Sequence, residues 1–154
     1  LTGERGVGKT TFCLHLIDVA RALGLDVGGL ISPAIFEEGQ KVGISVLDIR
    51  NNQSRRLAHT REHITTGPNT KRWAFLTEAV EWGNCVLKTS TPCDLLIIDE
   101  LGPLEFEKDQ GWLHALAALD QGEYRLALVV IRPSLINQAI QHWPDAAVVE
   151  IEQS

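Results

Sequence analysis

Residues 3–10 read Gly3-Glu4-Arg5-Gly6-Val7-Gly8-Lys9-Thr10, and an apolar helical pattern follows them directly. This combination restricts the stretch to one construction, a tight glycine loop that opens a helix. Its spacing, G-x-x-x-x-G-K-T, is that of a phosphate-binding P-loop. The glycines let the backbone curl into a nest whose N–H groups turn inward on anionic oxygens. Lys9 then carries its charge to the β- and γ-phosphates, and the Thr10 hydroxyl is suited to ligate Mg²⁺. The helix adds the positive end of its dipole to the same anion. Gly3, Glu4, Arg5, Gly6, Val7, Gly8, Lys9, Thr10 and Thr11 are therefore the expected nucleotide-binding residues, with Arg5 able to approach phosphate itself.

A loop of this kind hangs from a buried β-strand. Only Leu1 and Thr2 precede Gly3, so the expectation is an N-terminally truncated domain whose P-loop strand is mostly missing. Such a sheet lacks a central partner, and reduced stability is expected. At 154 residues the chain reads as a single domain over 1–154. Its net charge of −6 argues against general nucleic-acid or membrane-surface binding, both of which require a basic face. The basic residues Arg55, Arg56, Arg61, Lys71 and Arg72 read as a solvated loop. Cys13, Cys85 and Cys93 show no metal-ligand spacing, and Cys13 falls in an apolar helical stripe. Reduced thiols of this kind suit a cytoplasmic protein.

Apolar periodicity predicts a helix over 10–23, with Phe12, Leu16, Val19 and Leu23 on one face and Cys13, Ile17 and Ala20 beside them. Val27–Ile31 reads as a buried strand ended by Ser32-Pro33. A hairpin follows, built from 34–36 and 42–46 around the turn residues 37–40, with a further strand near 56–59. Residues 60–72 read as a loop and 73–87 as a helix. Leu95-Leu96-Ile97-Ile98 is apolar without alternation, as in a strand buried on both faces. A helical stripe over 110–120, a strand over 124–131, a helix opened by Pro133 and a final strand over 147–151 complete the pattern. Strands alternating with helices predict an α/β fold, with a largely parallel sheet covered on both faces and an inserted antiparallel hairpin.

The apolar run ends in Asp99-Glu100. A buried strand terminating in an acid, downstream of a P-loop, is the Walker B pattern. Asp99 is expected at the strand's carboxyl end, where α/β sheets bind ligands, and with Thr10 it forms the expected Mg²⁺ site. Glu100 is placed to act on a water as general base, a role that favours hydrolysis over transfer to a second substrate. Arg132, directly after the 124–131 strand, is the candidate positive charge for the transition state, with a surface ion pair as the competing reading. Lys9, Glu100 and Arg132 are the expected catalytic set. Glu105 is a candidate to support the two acids. Trp73 and Phe75 stack on a base or, as the better reading, pack in the core; the histidines show no paired metal spacing.

Three blocks together resemble the cancer-related nucleoside-triphosphatase family of small P-loop proteins. They are residues 3–11, Val27-Gly28-Gly29-Leu30-Ile31-Ser32-Pro33, and Asp99-Glu100-Leu101-Gly102-Pro103-Leu104-Glu105. The middle block discriminates, because the other two occur in many nucleotide hydrolases. The resemblance implies a RecA-like fold and slow, base-tolerant hydrolysis of ATP, GTP and other nucleoside triphosphates to diphosphate and phosphate. It implies Lys9 and Thr10 on phosphate and Mg²⁺, Asp99 on the metal side, Glu100 on water and Arg132 after the next strand. Residues 60–90 depart from the family pattern. Two other readings compete: a nucleotide-dependent switch or adaptor with slow hydrolysis, and a nucleotide or small-molecule kinase.

Overall fold

The computed structural model describes residues 1–60 and 73–153. Helix α1 (Lys9–Ala22) leads into β1 (Val27–Ile31), β2 (Ala34–Glu37), β3 (Gln40–Asp48), β4 (Ser54–Thr60) and β5 (Trp73–Phe75). Helix α2 (Thr77–Lys88), β6 (Cys93–Leu101), α3 (Pro103–Glu107), α4 (Leu113–Gln121), β7 (Tyr124–Ile131) and α5 (Ile136–His142) follow. The strands form one sheet in the order β5-β4-β3-β1-β6-β7, with β2 paired to β3.

The sheet is mixed rather than largely parallel. β1 runs parallel to β6, and β6 to β7. β2 through β5 pair antiparallel, and β3 joins β1 antiparallel as well. The expected hairpin is thus one part of a meander continuous with the parallel half. The short connections from β2 to β3 and from β3 to β4 account for those antiparallel pairs, because neighbours joined by a tight turn must run antiparallel, whereas parallel pairing needs a crossover. Glu38 and Gly39 both take positive φ, as a two-residue hairpin turn requires.

Two other expectations change. Trp73–Phe75 is strand rather than helix, because Ala74 pairs with His59 of β4 and the following helix begins only at Thr77. The 147–151 strand reduces to a single parallel bridge between Thr2 and Glu150. Leu1 and Thr2 lie between β7 and this segment. Ile131 N–H donates to the Leu1 carbonyl at 2.9 Å, Thr2 N–H to Val149 at 2.8 Å, and Ile151 N–H to Thr2 at 2.9 Å. Farther along β7, Leu126 is 59% exposed. The expected loop over 60–72 lies outside the described residues except for Thr60, which ends β4.

Alternation along β6 builds two cores. Leu95 and Ile97 face α1 and pack with Cys13, Ile17 and Ala20, while Leu96 and Ile98 face α2 and α4. Helices therefore cover both faces of the sheet. On α1 the buried stripe is Cys13, Ile17 and Ala20, whereas Phe12, Val19 and Leu23 are exposed. This stripe packs against Val27 and Ile31 of β1, Leu95 and Ile97 of β6 and Val130 of β7.

Gly29 explains why the second block reads as it does. Its φ is +115°, and a Cβ there would lie 1.9 Å from the Ile97 carbonyl oxygen of the paired strand. Backbone cannot swing aside as a side chain can. Gly29→Ala is expected to cost about 2–5 kcal/mol from strain and overpacking together, read as a lowered urea midpoint. An unchanged midpoint would refute this account of the β1–β6 contact.

Candidate active site

Because β1, β6 and β7 are parallel, their carboxyl ends share one sheet edge: Ser32 follows β1, Asp99 and Glu100 lie near the end of β6, and Arg132 follows β7. The glycine loop reaches the same place through Thr10. The Thr10 hydroxyl donates to Asp99 Oδ2 at 3.0 Å, joining residues 89 apart in sequence. Ser32 N–H donates to the same oxygen, also at 3.0 Å.

Within the loop, Gly6 and Gly8 have φ of 80° and 102°, and a Cβ at either would meet nothing within 4 Å. Conformation, not space, calls for glycine at these two positions. Gly3 differs, since its Cβ would press on the Ile151 carbonyl oxygen at 2.5 Å. Gly8 ends the loop and starts α1, accepting from Phe12 N–H at 2.8 Å. The Lys9 ammonium folds back over the loop and donates to the carbonyls of Gly3 at 2.6 Å and Glu4 at 2.8 Å. Glu4 and Arg5 are exposed on its outer side, and Val7 and Thr11 flank the turn.

A register shift between Ile98 and Leu101 interrupts the β6–β7 ladder. Glu100 sits in that bulge with φ of 74°. A bulge re-aims the side chains it carries. Asp99 points inward and is 4% exposed, while the Glu100 side chain is 47% exposed. Glu100 Oε1 accepts from Arg132 at 2.5 Å, which is the ion pair of the competing reading of Arg132 and places its guanidinium at the same sheet edge as the two acids.

Burial pushes the Asp99 carboxyl up to about 6, and the neighbouring Glu100 charge adds to this. The bonds from Ser32 and Thr10 and the charge of Lys9 pull the other way. Unfolded, the group titrates near ~3.9. The folded state therefore holds the proton more tightly, and stability is lost as pH rises from about 4 through about 6. Asp99→Asn removes this titration. Its advantage in thermal stability over the parent, without ligand, should grow between pH 4 and pH 7 by up to about 3 kcal/mol. A gap that does not change with pH would overturn the assignment.

Glu105 is buried and serves the backbone. Its carboxylate accepts from Gly102 N–H at 2.7 Å and Trp112 N–H at 2.9 Å, tying the turn after β6 to the start of α4. The Gly102-Pro103-x-Glu105 spacing carried that signal: the N3 carboxylate reaches back to the Gly102 N–H at the start of α3, which is the glutamate half of a capping box, since glycine has no side chain for the other half. Ser32 was missed as a partner of Asp99; its sequence signals were its place at the end of a strand and in the discriminating 27–33 block. Trp73 is buried and Phe75 packs against the core, in line with the packing reading. In the basic cluster, Arg55 stacks on Trp82 at 4.7 Å and Arg56 meets His59 Nδ1 at 3.2 Å. Arg61, Lys71 and Arg72 lie outside the described residues.

Thr10 Oγ1 and Asp99 Oδ2 form a pair of hard oxygen donors that suits Mg²⁺. Among the described residues no cluster of three or more His, Cys, Asp or Glu could hold a metal. The donor set fits a cation held jointly with substrate phosphates rather than in a closed protein cage. Among the described residues no helix is long and apolar enough to cross a membrane.

An α/β sheet with a glycine loop and a buried acid at one edge defines a class, the NTPases. The chain belongs to the NTPase family, whose profile matches residues 1–154. It is 33% identical over 110 residues to a nucleoside-triphosphatase THEP1 of Methanopyrus kandleri, covering 71% of this chain and 59% of that protein. A THEP1 nucleoside-triphosphatase of Methanosarcina barkeri is 29% identical over 143 residues, 92% of this chain and 79% of the relative. The fold also matches the solution structure of a human cancer-related nucleoside triphosphatase with a TM-score of 0.75. That likeness covers 99% of this chain and 87% of the human protein at 20% identity.

Proposed function

We propose that residues 1–154 act as one P-loop domain that hydrolyses nucleoside triphosphates, ATP and GTP among them, to diphosphate and phosphate in an Mg²⁺-dependent reaction. The observation that carries this reading is the 3.0 Å bond from Thr10 to Asp99, which joins the loop to the acid across the sheet edge. Gly3 through Thr11 cradle the phosphates through backbone N–H groups and the α1 dipole. Lys9 gives up its loop carbonyls for phosphate oxygens. Thr10 and Asp99 would hold Mg²⁺, which when bound would supply positive charge to the substrate's phosphates.

Glu100 takes a proton from the attacking water as its oxygen bonds to the γ-phosphorus. The bond to the bridging oxygen breaks, and the diphosphate leaves with that electron pair. Arg132 exchanges Glu100 for the γ-phosphate, which both stabilises the transferring group and frees the base. The free cysteines Cys13, Cys85 and Cys93 suit a reducing cytoplasm.

The reading is tested by phosphate release from ATP, GTP, CTP and UTP, each with Mg²⁺ and with EDTA. Release from several of the four, abolished by EDTA, is expected. Tight binding with no release would overturn hydrolysis in favour of a nucleotide switch.

A further inference from the structure

Ser32 carries a feature that its bond to Asp99 does not use. β1 pairs with β6 as far as Leu30 opposite Ile98, so Ser32 lies past the ladder and beside the acid. Its backbone N–H satisfies Asp99 Oδ2 at 3.0 Å, and any residue other than proline would offer that donor. The hydroxyl is a separate matter. Ser32 Oγ is buried and has no hydrogen-bond partner among the described residues. Buried hydroxyls are seldom left unpaired, because losing water without gaining a partner costs stability. Pro33, the next residue, biases Ser32 toward an extended backbone and keeps it at the strand end. Thr2 Oγ1 is orphaned too, but Thr2 sits between β7 and residues 149–151, bonded to Val149 and Ile151.

The cation fitted to Thr10 and Asp99 has few protein donors. Mg²⁺ bound in this manner keeps several of its waters, and each of those waters needs a partner. We propose that the Ser32 hydroxyl is a positioning residue that hydrogen-bonds a water of the hydrated Mg²⁺–nucleotide unit beside Asp99. The inference rests on the nucleoside-triphosphatase reading above. It gives the unpaired hydroxyl its partner in the loaded state and assigns Ser32 a role in metal affinity, not in chemistry.

The test uses thermal unfolding of the parent, Ser32→Ala and Ser32→Thr. Each is measured without ligand, with a non-hydrolysable ATP analogue in EDTA, and with the analogue across a Mg²⁺ titration. Ser32→Ala should melt no lower than the parent without ligand, since it deletes an unsatisfied group. It should need about 3- to 10-fold more Mg²⁺ for half of the analogue's stabilisation, the scale of one hydrogen bond. In EDTA the two should respond alike, and Ser32→Thr should restore the parent's Mg²⁺ requirement. An unchanged Mg²⁺ midpoint in Ser32→Ala overturns the proposal while the parent's Mg²⁺ response leaves the nucleotide reading standing. A loss of ligand-free stability that Ser32→Thr does not repair shows a structural role and likewise overturns it. A parent that gains nothing from Mg²⁺ overturns both readings.

Discussion

Glu100→Gln is expected to lower phosphate release roughly 10²- to 10⁴-fold, the range of a single general base. Glutamine keeps the length and shape of the side chain and a carbonyl for Arg132, but it cannot take a proton from water. Binding of the triphosphate should hold or tighten, because Arg132 no longer faces a full carboxylate at 2.5 Å. Stability should move little. The pair is half exposed on both sides, and ion pairs of that kind contribute only about 0–1 kcal/mol. Release assays beside equilibrium binding and a melt separate these effects. Turnover at the parent's rate would remove Glu100 from the chemistry and leave the Arg132 contact as a plain surface pair.

Lys9→Ala is expected to weaken triphosphate binding about 10- to 100-fold, since each charge-assisted hydrogen bond is worth about 1.5–3 kcal/mol. Turnover should fall further, because the charge that develops on the γ-phosphate also loses its partner. Lys9 holds the Gly3 and Glu4 carbonyls in the ligand-free loop, so its removal also loosens the cradle before any nucleotide arrives. Lys9→Arg provides the control. It keeps the charge but not the compact ammonium, so binding should recover more than turnover. Affinity unchanged in Lys9→Ala would show that the loop does not bind phosphate.

Much of this site was legible along the chain because each part is local. The loop is contiguous, and its glycines, Lys9 and Thr10 are set by backbone conformation within a few residues. Asp99 and Glu100 were legible because an apolar run without alternation that ends in acids, downstream of a glycine loop, is the pattern of a strand buried on both faces. Their opposite fates were not. Which of two adjacent acids points inward depends on the β6–β7 register shift, a property of the pairing and not of the residues. Ser32 stood in the discriminating block, but its bond to Asp99 was not legible, since the donor is a backbone N–H that carries no residue signature. Along α1 the pattern showed two adjacent apolar stripes, and which of them is buried, Cys13, Ile17 and Ala20 rather than Phe12, Val19 and Leu23, was not legible. Close packing against the sheet decides it.

The sequence alone determined most of the element order, the glycine loop, the paired acids and the family, while it took residues 73–75 for helix and 147–151 for a full strand. These rest on short-range periodicity and spacing, which fix local backbone and little else. The tertiary structure decided the mixed sheet, the meeting of Thr10, Ser32 and Asp99, and the contact of Glu100 with Arg132. Each depends on which strands lie side by side and in what register. Hydrogen bonds between distant segments set that register, and no single stretch of the chain carries it.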